Sequence, residues 1–432
     1  MVESDQGQDQ RGEPRAAAQR IVSIIQQRGH TAYLAGGCVR DRLLGRTPKD
    51  YDVATDARPE RVRKLFRRTQ YVGEAFGVVL VQLWGCWIEV ATFRTEWGYA
   101  DGRHPEYVDF SDAKHDARRR DFTVNGLFED PIADKIIDFV GGREDLKAGV
   151  IRAIGVPDER FGEDYLRMLR AVRFAASLDF TIERRTAAAI RKHATKLNII
   201  SRERTGQEVA TMLTGPRPAA AAKLLQRFAL DEPALGDPHS TTTLPTLSKL
   251  KPGCEYPTPL CAWAIDRYLM PHVAGKAQPL PALAKRIDNW LGKDLAALLR
   301  RWRKALCLSN DHRDAMRATL SLLPTALDWA RLPVAQRKRL LAQPMWPGTR
   351  ALLHALKLHG AAAFVRRLER EAQPLEDEGV APKPLVNGDD LIRMGRKPGP
   401  SFSRLLCLAY DAQLEGRVRT RHQALRLLKQ LS

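Results

Sequence analysis

The chain has 432 residues, of which 44% are apolar and 28% are charged, an ordinary composition for a globular protein long enough to form more than one domain. Its 70 Lys and Arg outnumber its 51 Asp and Glu, which gives a net charge of +19. Such a charge favours a polyanionic partner, which would be nucleic acid or an anionic membrane surface; the alternative is that it only aids solubility. Six scattered cysteines without a C-x-x-C pair argue against a zinc site and a disulfide framework and fit a reducing cytoplasm.

The first predicted elements are a polar tail, a helix and a strand that ends at a pair of glycines. Residues 1–15 are polar and lack the apolar core of a secretory signal, so we predict a disordered N-terminal tail. A helix is predicted from Ala16 because isoleucines recur on one of its faces. The segment AYLAGG at 32–37 predicts a strand that runs into a Gly-Gly turn, and 39–45 predicts a short helix.

The next elements continue this alternation of helix and strand. The chain is expected to be extended around Asp50, helical and basic over 58–68, and then to form two strands over 77–94 that turn at Gly85. This hairpin is the most apolar stretch, but Gln, Gly and Glu interrupt it, and it falls short of the roughly 20 apolar residues of a membrane span. A polar loop is predicted over 95–117, and we expect no membrane segment.

Beyond Arg160 the sequence is almost entirely helical, with breaks that are rich in proline. The predicted fold class is α+β, with a mixed β-sheet head and its helices followed by an elongated all-α neck, body and tail. The predicted domains are a disordered tail at 1–15, a catalytic head at 16–155, a neck at 156–230, a body at 231–380 with a Pro/Ser/Thr-rich linker at 231–259, and a C-terminal tail at 381–432.

Two aspartates in the run KDYDVATDA at 49–57 form the first candidate site. If this run is a strand, Asp50 and Asp52 point to one face, and each raises the other's cost of ionisation. A divalent cation removes that cost, and paired carboxylates that hold two Mg²⁺ ions serve phosphoryl transfer. Glu89, on a neighbouring predicted strand, could complete the acidic cluster. Taken alone, such a pair is more often solvated surface.

Two further segments are suited to binding phosphate. Gly36 and Gly37 permit a close approach of backbone amides ahead of a helix, and Arg40 adds a guanidinium fork. The run RRRDFTVNG places Arg119 and Arg120 beside an aspartate that could orient them toward a triphosphate or ribose. The plainer alternatives are an ordinary strand-to-helix turn and a surface ion pair.

The run ERFGEDYLRMLRAVRF at 159–174 is predicted to be one helix on which Asp164 and Arg167 are neighbours at i,i+3. Such a pair sets an acceptor beside a donor, which matches the base edges of cytosine and adenine but not those of uracil and guanine. We therefore predict a site that selects CTP and ATP without a template. Arg170 and Arg173 continue the basic row, and a simple surface ion pair is the alternative.

Several motifs, in a fixed order, resemble those of class II tRNA nucleotidyltransferases and bacterial poly(A) polymerases. They are GGCVRD at 36–41, KDYDVATDA at 49–57, FRTEWGYADGRHP at 93–105, RRDFTVNG at 119–126, ERFGEDYLRMLRAVRFAASLDF at 159–180 and SRERTGQEV at 201–209. The resemblance covers 30–230 densely, and it implies a nucleotidyltransferase head with Mg²⁺ on Asp50 and Asp52.

The resemblance also implies which residues act on the substrates. The catalytic residues would be Asp50, Asp52 and Glu89, and the nucleotide-binding residues would be Gly36, Gly37, Arg40, Arg119, Arg120, Asp121, Asn125, Asp164, Arg167, Arg170 and Arg173. The substrates would be tRNA, CTP and ATP, and the cofactor would be Mg²⁺. The protein would be cytoplasmic, a monomer or a dimer, and without a membrane partner.

Two segments separate the branches of this family. GEAFGVV at 73–79 lacks the basic run of poly(A) polymerases, and 384–402 resembles the C-terminal segment of CCA-adding enzymes. We therefore expect CCA addition to tRNA; the alternatives are poly(A) tailing, partial A- or CC-addition and, more remotely, a non-catalytic RNA-binding protein. The loop at 101–103 would move between C and A addition, and basic runs at 298–304 and 336–341 would contact the tRNA backbone.

Overall fold

A computed structural model describes residues 12–72, 77–97, 107–273, 280–356 and 361–431. The chain divides into two compact units, a first unit of Met1–Met212 with Leu224–His239 and a second unit of Leu213–Lys223 with Ser240–Ser432. The finer division into head, neck, body and tail stays a prediction. The predicted disorder of residues 1–15 is wrong at its end, because a helix already begins at Pro14. The rest of that prediction, over residues 1–11, and the predicted movement of 101–103 lie outside the described residues.

Eleven strands are described, all within the first unit. They are β1 Ala32–Ala35, β2 Asp52–Thr55, β3 Thr69–Tyr71, β4 Val78–Leu83, β5 Cys86–Thr92, β6 Arg94–Trp97, β7 Tyr107–Phe110, β8 Leu127–Asp130, β9 Lys135–Asp138, β10 Val150–Ile151 and β11 Thr181–Ile182. Seven of them form one sheet in the order β3-β4-β5-β2-β1-β8-β9, in which only the β2–β5 pair is parallel. The predicted mixed-sheet head of an α+β protein is confirmed.

The described helices begin near the N-terminus and dominate the chain after β9. They are α1 Pro14–Gln27, α2 Gly37–Leu43, α3 Pro59–Leu65, α4 Ala113–Arg119, α5 Gly142–Ala148, α6 Pro157–Glu163, α7 Leu166–Leu178, α8 Arg184–His193, α9 Arg202–Thr214, α10 Pro218–Arg227, α11 Asp231–Leu235, α12 Pro245–Lys249, α13 Thr258–Ala264, α14 Met270–Val273, α15 Leu280–Trp290, α16 Ala296–Leu306, α17 Asn310–Leu327, α18 Val334–Leu341, α19 Trp346–Ala355, α20 Ala361–Glu378, α21 Gly388–Arg393, α22 Pro400–Leu414 and α23 Arg421–Gln430.

Both faces of the sheet are covered, which fixes where a polar site can form. On one face, α1 packs against β1, β2 and β5 and buries Ile21 and Ile25 completely. On the other face, a cluster joins Ala54 of β2 and Phe128 of β8 to Ala117 of α4. Because β2 is buried over its last three residues and exposed at its first, polar side chains gather where this strand begins.

Three predicted elements differ in the structure. The expected single helix over 159–174 is two helices, α6 and α7, because Asp164 between them has an extended backbone with φ −154°. The expected loop over 95–117 contains the β6–β7 hairpin and α4 instead. The predicted linker over 231–259, inferred from its Pro, Ser and Thr content, instead contains α11 and α12 and buries apolar side chains such as Leu235 and Leu247.

Among its described residues, the second unit contains helices and loops but no strand. Three tryptophans, Trp263, Trp302 and Trp329, are almost completely buried among its helices. A separate apolar cluster joins Leu391 of α21, Leu405 of α22 and the C-terminal α23. Within the described residues, no helix combines the length and the apolar character that a membrane crossing requires.

Candidate active site

The candidate site is built around Asp52, which begins β2 directly opposite Glu89 of the parallel strand β5. Side chains of such paired residues project from the same face of a sheet. Glu89 is exposed on β5 while its neighbours Ile88 and Val90 are buried, and the prediction that Glu89 lies on a strand next to that of Asp52 is confirmed. Asp52 keeps solvent access, yet burial raises its pKa to about 6, with a further increase from Glu89 and Asp50 and an opposing effect of Arg120.

Asp50 lies two residues before β2 and outside any strand, so the predicted strand alternation does not apply to it. It is exposed, and its charge still contributes to the raised pKa of Asp52. The chain therefore brings the charges of both aspartates close enough to interact, although Asp50 lies ahead of the strand and not within it.

The acidic residues fit a divalent cation that is shared with a substrate. Among the residues that the structure describes, no three Asp, Glu, His or Cys side chains form a group that encloses a metal ion. Mg²⁺ is commonly held by one or two carboxylates, with its other positions filled by water and substrate phosphate. Asp50 and Asp52 supply such a pair, and their mutual repulsion is the electrostatic condition that a cation relieves.

Gly36 leaves space for an arginine beside this acidic pair. It precedes α2 with a φ of +71°, and its N–H donates to the carbonyl oxygen of Leu127 at 2.9 Å. A Cβ at this position would lie 2.8 Å from Nη1 of Arg120. The Arg120 guanidinium lies over the Phe128 ring at 5.0 Å and donates to the Asn125 carbonyl oxygen at 3.2 Å. The predicted glycine turn thus admits a cation where the acids gather.

A buried carboxylate that the sequence analysis missed orients two of the predicted arginines. Asp116 of α4 is 1% exposed and accepts hydrogen bonds from Nε of Arg119 at 2.8 Å and from Nη2 of Arg120 at 3.0 Å. Burial favours a higher pKa for Asp116, but the charges of Arg120 and Arg119 outweigh it and the pKa is lowered. The D-x-x-R-R spacing, which places i, i+3 and i+4 on one helix face, was the available signal.

A second polar chain runs from Arg40 to α7. Arg40 donates through Nη1 to Oδ1 of Asn125 at 2.6 Å, and Asn125 donates through Nδ2 to Oδ1 of Asp121 at 3.0 Å. Asp121 accepts from Nε of Arg170 at 2.8 Å, and the pKa of its carboxyl is lowered because Arg170 and Asn125 outweigh burial. Arg40 also pairs with Asp41, so its guanidinium is occupied within the protein and its predicted phosphate contact stays a prediction.

Three guanidinium groups surround one aromatic ring at the end of this chain. Arg40, Arg170 and Arg173 lie over Phe174 at 5.2, 5.3 and 4.3 Å from the ring centroid. Arg173 also donates to Glu208 at 2.7 Å. The ring and the paired carboxylates thus hold these three cations close together.

The prediction that Asp164 and Arg167 are i,i+3 neighbours on one continuous helix is wrong, because the backbone is extended at Asp164, between α6 and α7. Asp164 pairs with Arg204 of α9, whose Nη2 lies 2.6 Å from its Oδ2, and its Oδ1 accepts from the Leu166 N–H at 3.0 Å. Arg167 pairs with Glu163 and donates to the Arg160 carbonyl oxygen at 2.9 Å. The predicted base edge would therefore consist of two side chains that are held by different partners.

Two arginines connect this region to the acidic end of the sheet. Arg160 donates to the carbonyl oxygen of Arg118 at 2.8 Å, and Arg167 donates to that of Arg119 at 3.4 Å. These carbonyls end α4, where the helix dipole favours positive charge. The predicted base-selecting and phosphate-binding segments are thus joined through the backbone of α4.

Two family models match this part of the chain. The model described as the poly A polymerase head domain matches residues 32–152. The model described as a probable RNA and SrmB-binding site of polymerase A matches residues 179–238. The matched segments contain the acidic pair, the arginines of α4 and the α9 residues that contact α7.

Curated and solved relatives extend over nearly the whole chain. The CCA-adding enzyme of Lactiplantibacillus plantarum is 33% identical over 419 residues, 95% of this chain and 94% of its own. The CCA-adding enzyme of Latilactobacillus sakei is 34% identical over 404 residues, 91% of this chain and 92% of its own. The crystal structure of the Bacillus stearothermophilus CCA-adding enzyme in complex with CTP superimposes with a TM-score of 0.73 at 29% identity, covering 97% of this chain and 98% of that one.

Proposed function

The chain belongs to the family of CCA-adding enzymes and is a tRNA nucleotidyltransferase, and we propose that it adds C, C and A in turn to the 3′ end of tRNA without a nucleic-acid template. The proposed substrates are tRNA, CTP and ATP, the proposed cofactor is Mg²⁺ and the proposed location is the cytoplasm. The observation that supports this best is the juxtaposition of Asp52 and Glu89 with the arginine that occupies the space above Gly36.

The acidic pair is proposed to prepare the attack on the α-phosphate. Asp50 and Asp52 would hold Mg²⁺, which when bound lowers the pKa of the tRNA 3′-hydroxyl and stabilises the leaving pyrophosphate. In this scheme no protein nucleophile is required. The nearby Cys38 is not a competing candidate, because burial raises the pKa of its thiol to about 11 and it remains protonated.

The arginines are proposed to hold the triphosphate. Arg120 reaches the acidic pair closely enough to oppose the rise in the pKa of Asp52, so its guanidinium can neutralise a phosphate brought to the same place. Asp116 fixes the orientation of Arg119 and Arg120 before the nucleotide arrives, which reduces the rotational freedom that is lost on binding. Glu89 is proposed to support this charge balance from β5.

Selection of the base is proposed for the start of α7. Asp164 would accept the amino hydrogens of cytosine or adenine, and Arg167 would donate to the adjacent ring nitrogen. Both side chains are largely buried, which raises the cost of a mismatched donor or acceptor. Asp164 pairs with Arg204, and Arg167 pairs with Glu163. A bound nucleotide would have to share or replace these contacts.

Poly(A) tailing is the second candidate, because the matching head model is described as that of a poly A polymerase. Purified protein incubated with tRNA that lacks its terminal CCA distinguishes the candidates. Our proposal expects two nucleotides from CTP alone and three from CTP with ATP. Long tails from ATP alone on varied RNAs would favour poly(A) tailing, and addition that stops after CC with both nucleotides present would favour partial addition.

A further inference from the structure

The two basic runs of the second unit differ in how their charges are satisfied. In α18, Arg337 pairs with Glu371 at 3.1 Å and Lys338 pairs with Glu378 at 3.0 Å. Arg339 of the same helix pairs with Asp411 at 2.8 Å. Each cation of this run is thus matched by a carboxylate of α20 or α22, which gives the α18 run a role in holding helices together and leaves little charge for an external anion.

The run on α16 instead opens onto a cavity of about 620 Å³ that it shares with α17. We call this cavity the basic pocket; its cationic lining consists of Arg300, Arg303, Lys304, Arg313 and Arg317. The α16 cations lie three and four residues apart, on one stripe of the helix, and the α17 pair is spaced i,i+4. Leu299 and Leu308, which are almost fully buried, also line the pocket.

Within the part of the chain that the structure describes, Asp314 is the carboxylate that forms an ion pair with a cation of this cluster. Asp314 pairs with Arg313 at 2.9 Å, and its pKa is lowered first by that hydrogen bond and then by the charges of Arg313, Arg317 and Arg303. Like charges spaced i,i+4 repel, and a concave surface lined by one sign of charge focuses the electrostatic potential. The pocket is therefore arranged to attract an anion.

The chemistry of the lining indicates which part of a nucleic acid it fits. The nine residues that form the pocket include no aromatic side chain on which a base could stack and no Asn, Gln, Asp or Glu to recognise a base edge. Phosphate contacts alone position a nucleic acid without reading its sequence. Such a surface suits an enzyme that must accept tRNAs of many sequences.

We propose that the basic pocket between α16 and α17 binds phosphate groups of the tRNA sugar-phosphate backbone. This proposal rests on the proposed function, since it takes tRNA as the substrate. Both basic runs, at 298–304 and at 336–341, were predicted to contact RNA. We now propose this contact for the run at 298–304 alone, because the cations at 336–341 are paired within the protein.

The test is the salt dependence of tRNA binding by a variant with Arg300→Gln, Arg303→Gln and Lys304→Gln. These side chains are exposed, so the fold should be retained. Each lost phosphate contact lowers the slope of log Kd against log salt by about 1, so we expect a decrease of about 2 to 3 and an affinity at least about tenfold weaker at moderate salt. We expect kcat at saturating tRNA and the KM for CTP to stay within twofold.

A matched control removes the same charge elsewhere in the second unit. Lys249→Gln, Lys285→Gln and Arg366→Gln alter three exposed cations that do not line the pocket, and we expect their slope to change by less than about 1. Arg317→Gln, on α17, gives an independent reading with an expected decrease of about 1.

Four results would overturn the proposal. Three of them concern the slope of log Kd against log salt: an unchanged slope in the α16 variant, an unchanged slope in Arg317→Gln, and an equal decrease of the slope in the control. The fourth is a loss of CTP binding with tRNA binding retained, which would make the pocket a site for free nucleotides. The binding measurement needs no catalysis. A wild-type protein that binds tRNA through the pocket but adds nothing would refute the proposed function alone, and an active protein with an unchanged slope would refute the pocket alone.

Discussion

Asp52 and Glu89 face each other across the parallel pair of strands β2 and β5, at the residue where β2 begins. The arrangement raises the pKa of Asp52 to about 6, chiefly because the carboxylate is partly withdrawn from water and secondly because Glu89 lies beside it. The ionised carboxylate of Asp52 therefore lowers the free energy of unfolding at neutral pH. That cost is typical of sites whose charge is used by a ligand.

The first prediction concerns metal and stability. Because the folded pKa of Asp52 lies above the unfolded value, its ionised form destabilises the fold at neutral pH, and the penalty disappears as the pH falls below the unfolded pKa. In chelator at pH 7.5 we expect Asp52→Asn to melt about 1 to 3 °C above the wild type, since solvent screening limits the gain. Mg²⁺ should raise the Tm of the wild type and leave that of the variant unchanged. Equal shifts in both proteins would show that Asp52 does not bind the cation.

The second prediction concerns the glycine turn. Gly36→Ala introduces both a strained φ and a Cβ 2.8 Å from Arg120, whereas Gly45→Ala has a similar φ of +69° and no atom within 4 Å. Both variants should lose about 1 to 2 kcal/mol of stability from backbone strain. Only Gly36→Ala should also raise the KM for CTP, by about tenfold, which corresponds to about 1.4 kcal/mol of lost binding. Identical KM values for the two variants would contradict the role of Arg120.

The third prediction concerns Asp116 and pH. Its lowered folded pKa means that the carboxylate stabilises the fold above the unfolded pKa, and that this contribution is lost as the pH falls through the folded value. Asp116→Asn should therefore cost about 2 kcal/mol at pH 7, and the Tm difference from the wild type should narrow below about pH 4. Melting curves at several pH values measure this. A difference that is the same at every pH would show that the charge of Asp116 is not what stabilises the fold.

Loss of Asp116 should also affect the substrate. With Arg119 and Arg120 no longer held in position, the KM for CTP should rise about tenfold, while kcat changes less. A buried residue that is only structural would lower the amount of folded enzyme and leave the KM of the remaining enzyme unchanged.

The fourth prediction concerns base selection. Asp164→Ala, Arg167→Ala and Arg204→Ala should each raise the relative use of UTP or GTP by roughly 10-fold or more, because a buried donor or acceptor loses its partner or its orientation. Arg204→Lys should restore part of the selectivity, since it keeps the charge beside Asp164. Lys192→Ala serves as the control, because it removes an exposed ion pair between α8 and Asp158 of α6. Unchanged rejection of UTP and GTP in all three variants would refute the base-edge assignment.

Local sequence patterns were sufficient to predict some parts of the candidate site. The Gly-Gly turn and the placement of Glu89 on a strand follow from backbone preferences and from the period of apolar residues, both of which act within a few positions. The mixed-sheet head followed for the same reason, because its strands and helices are separated by clear turn signals.

Pairing between distant residues could not be read from the same patterns. Asp164 and Arg204 are 40 residues apart, and the salt bridge between them, together with the backbone break at Asp164, replaces the expected i,i+3 pair. The basic run of α18 likewise looks free in the sequence, but its partners lie 34 to 72 residues further along the chain. Side-chain pairing of this kind is decided by tertiary packing, which the local pattern does not contain.

The central claim is that the carboxylate of Asp52 enables nucleotide addition to the tRNA end. Its most direct test is the rate of extension of tRNA lacking CCA, with CTP and ATP, by the wild type and by Asp52→Asn, with Asp134→Asn as a control at an exposed acid in the β8–β9 turn. We predict a three-nucleotide extension by the wild type and the control, and a rate at least about 1,000-fold lower in Asp52→Asn with tRNA affinity retained. Extension by Asp52→Asn at the wild-type rate would contradict the claim.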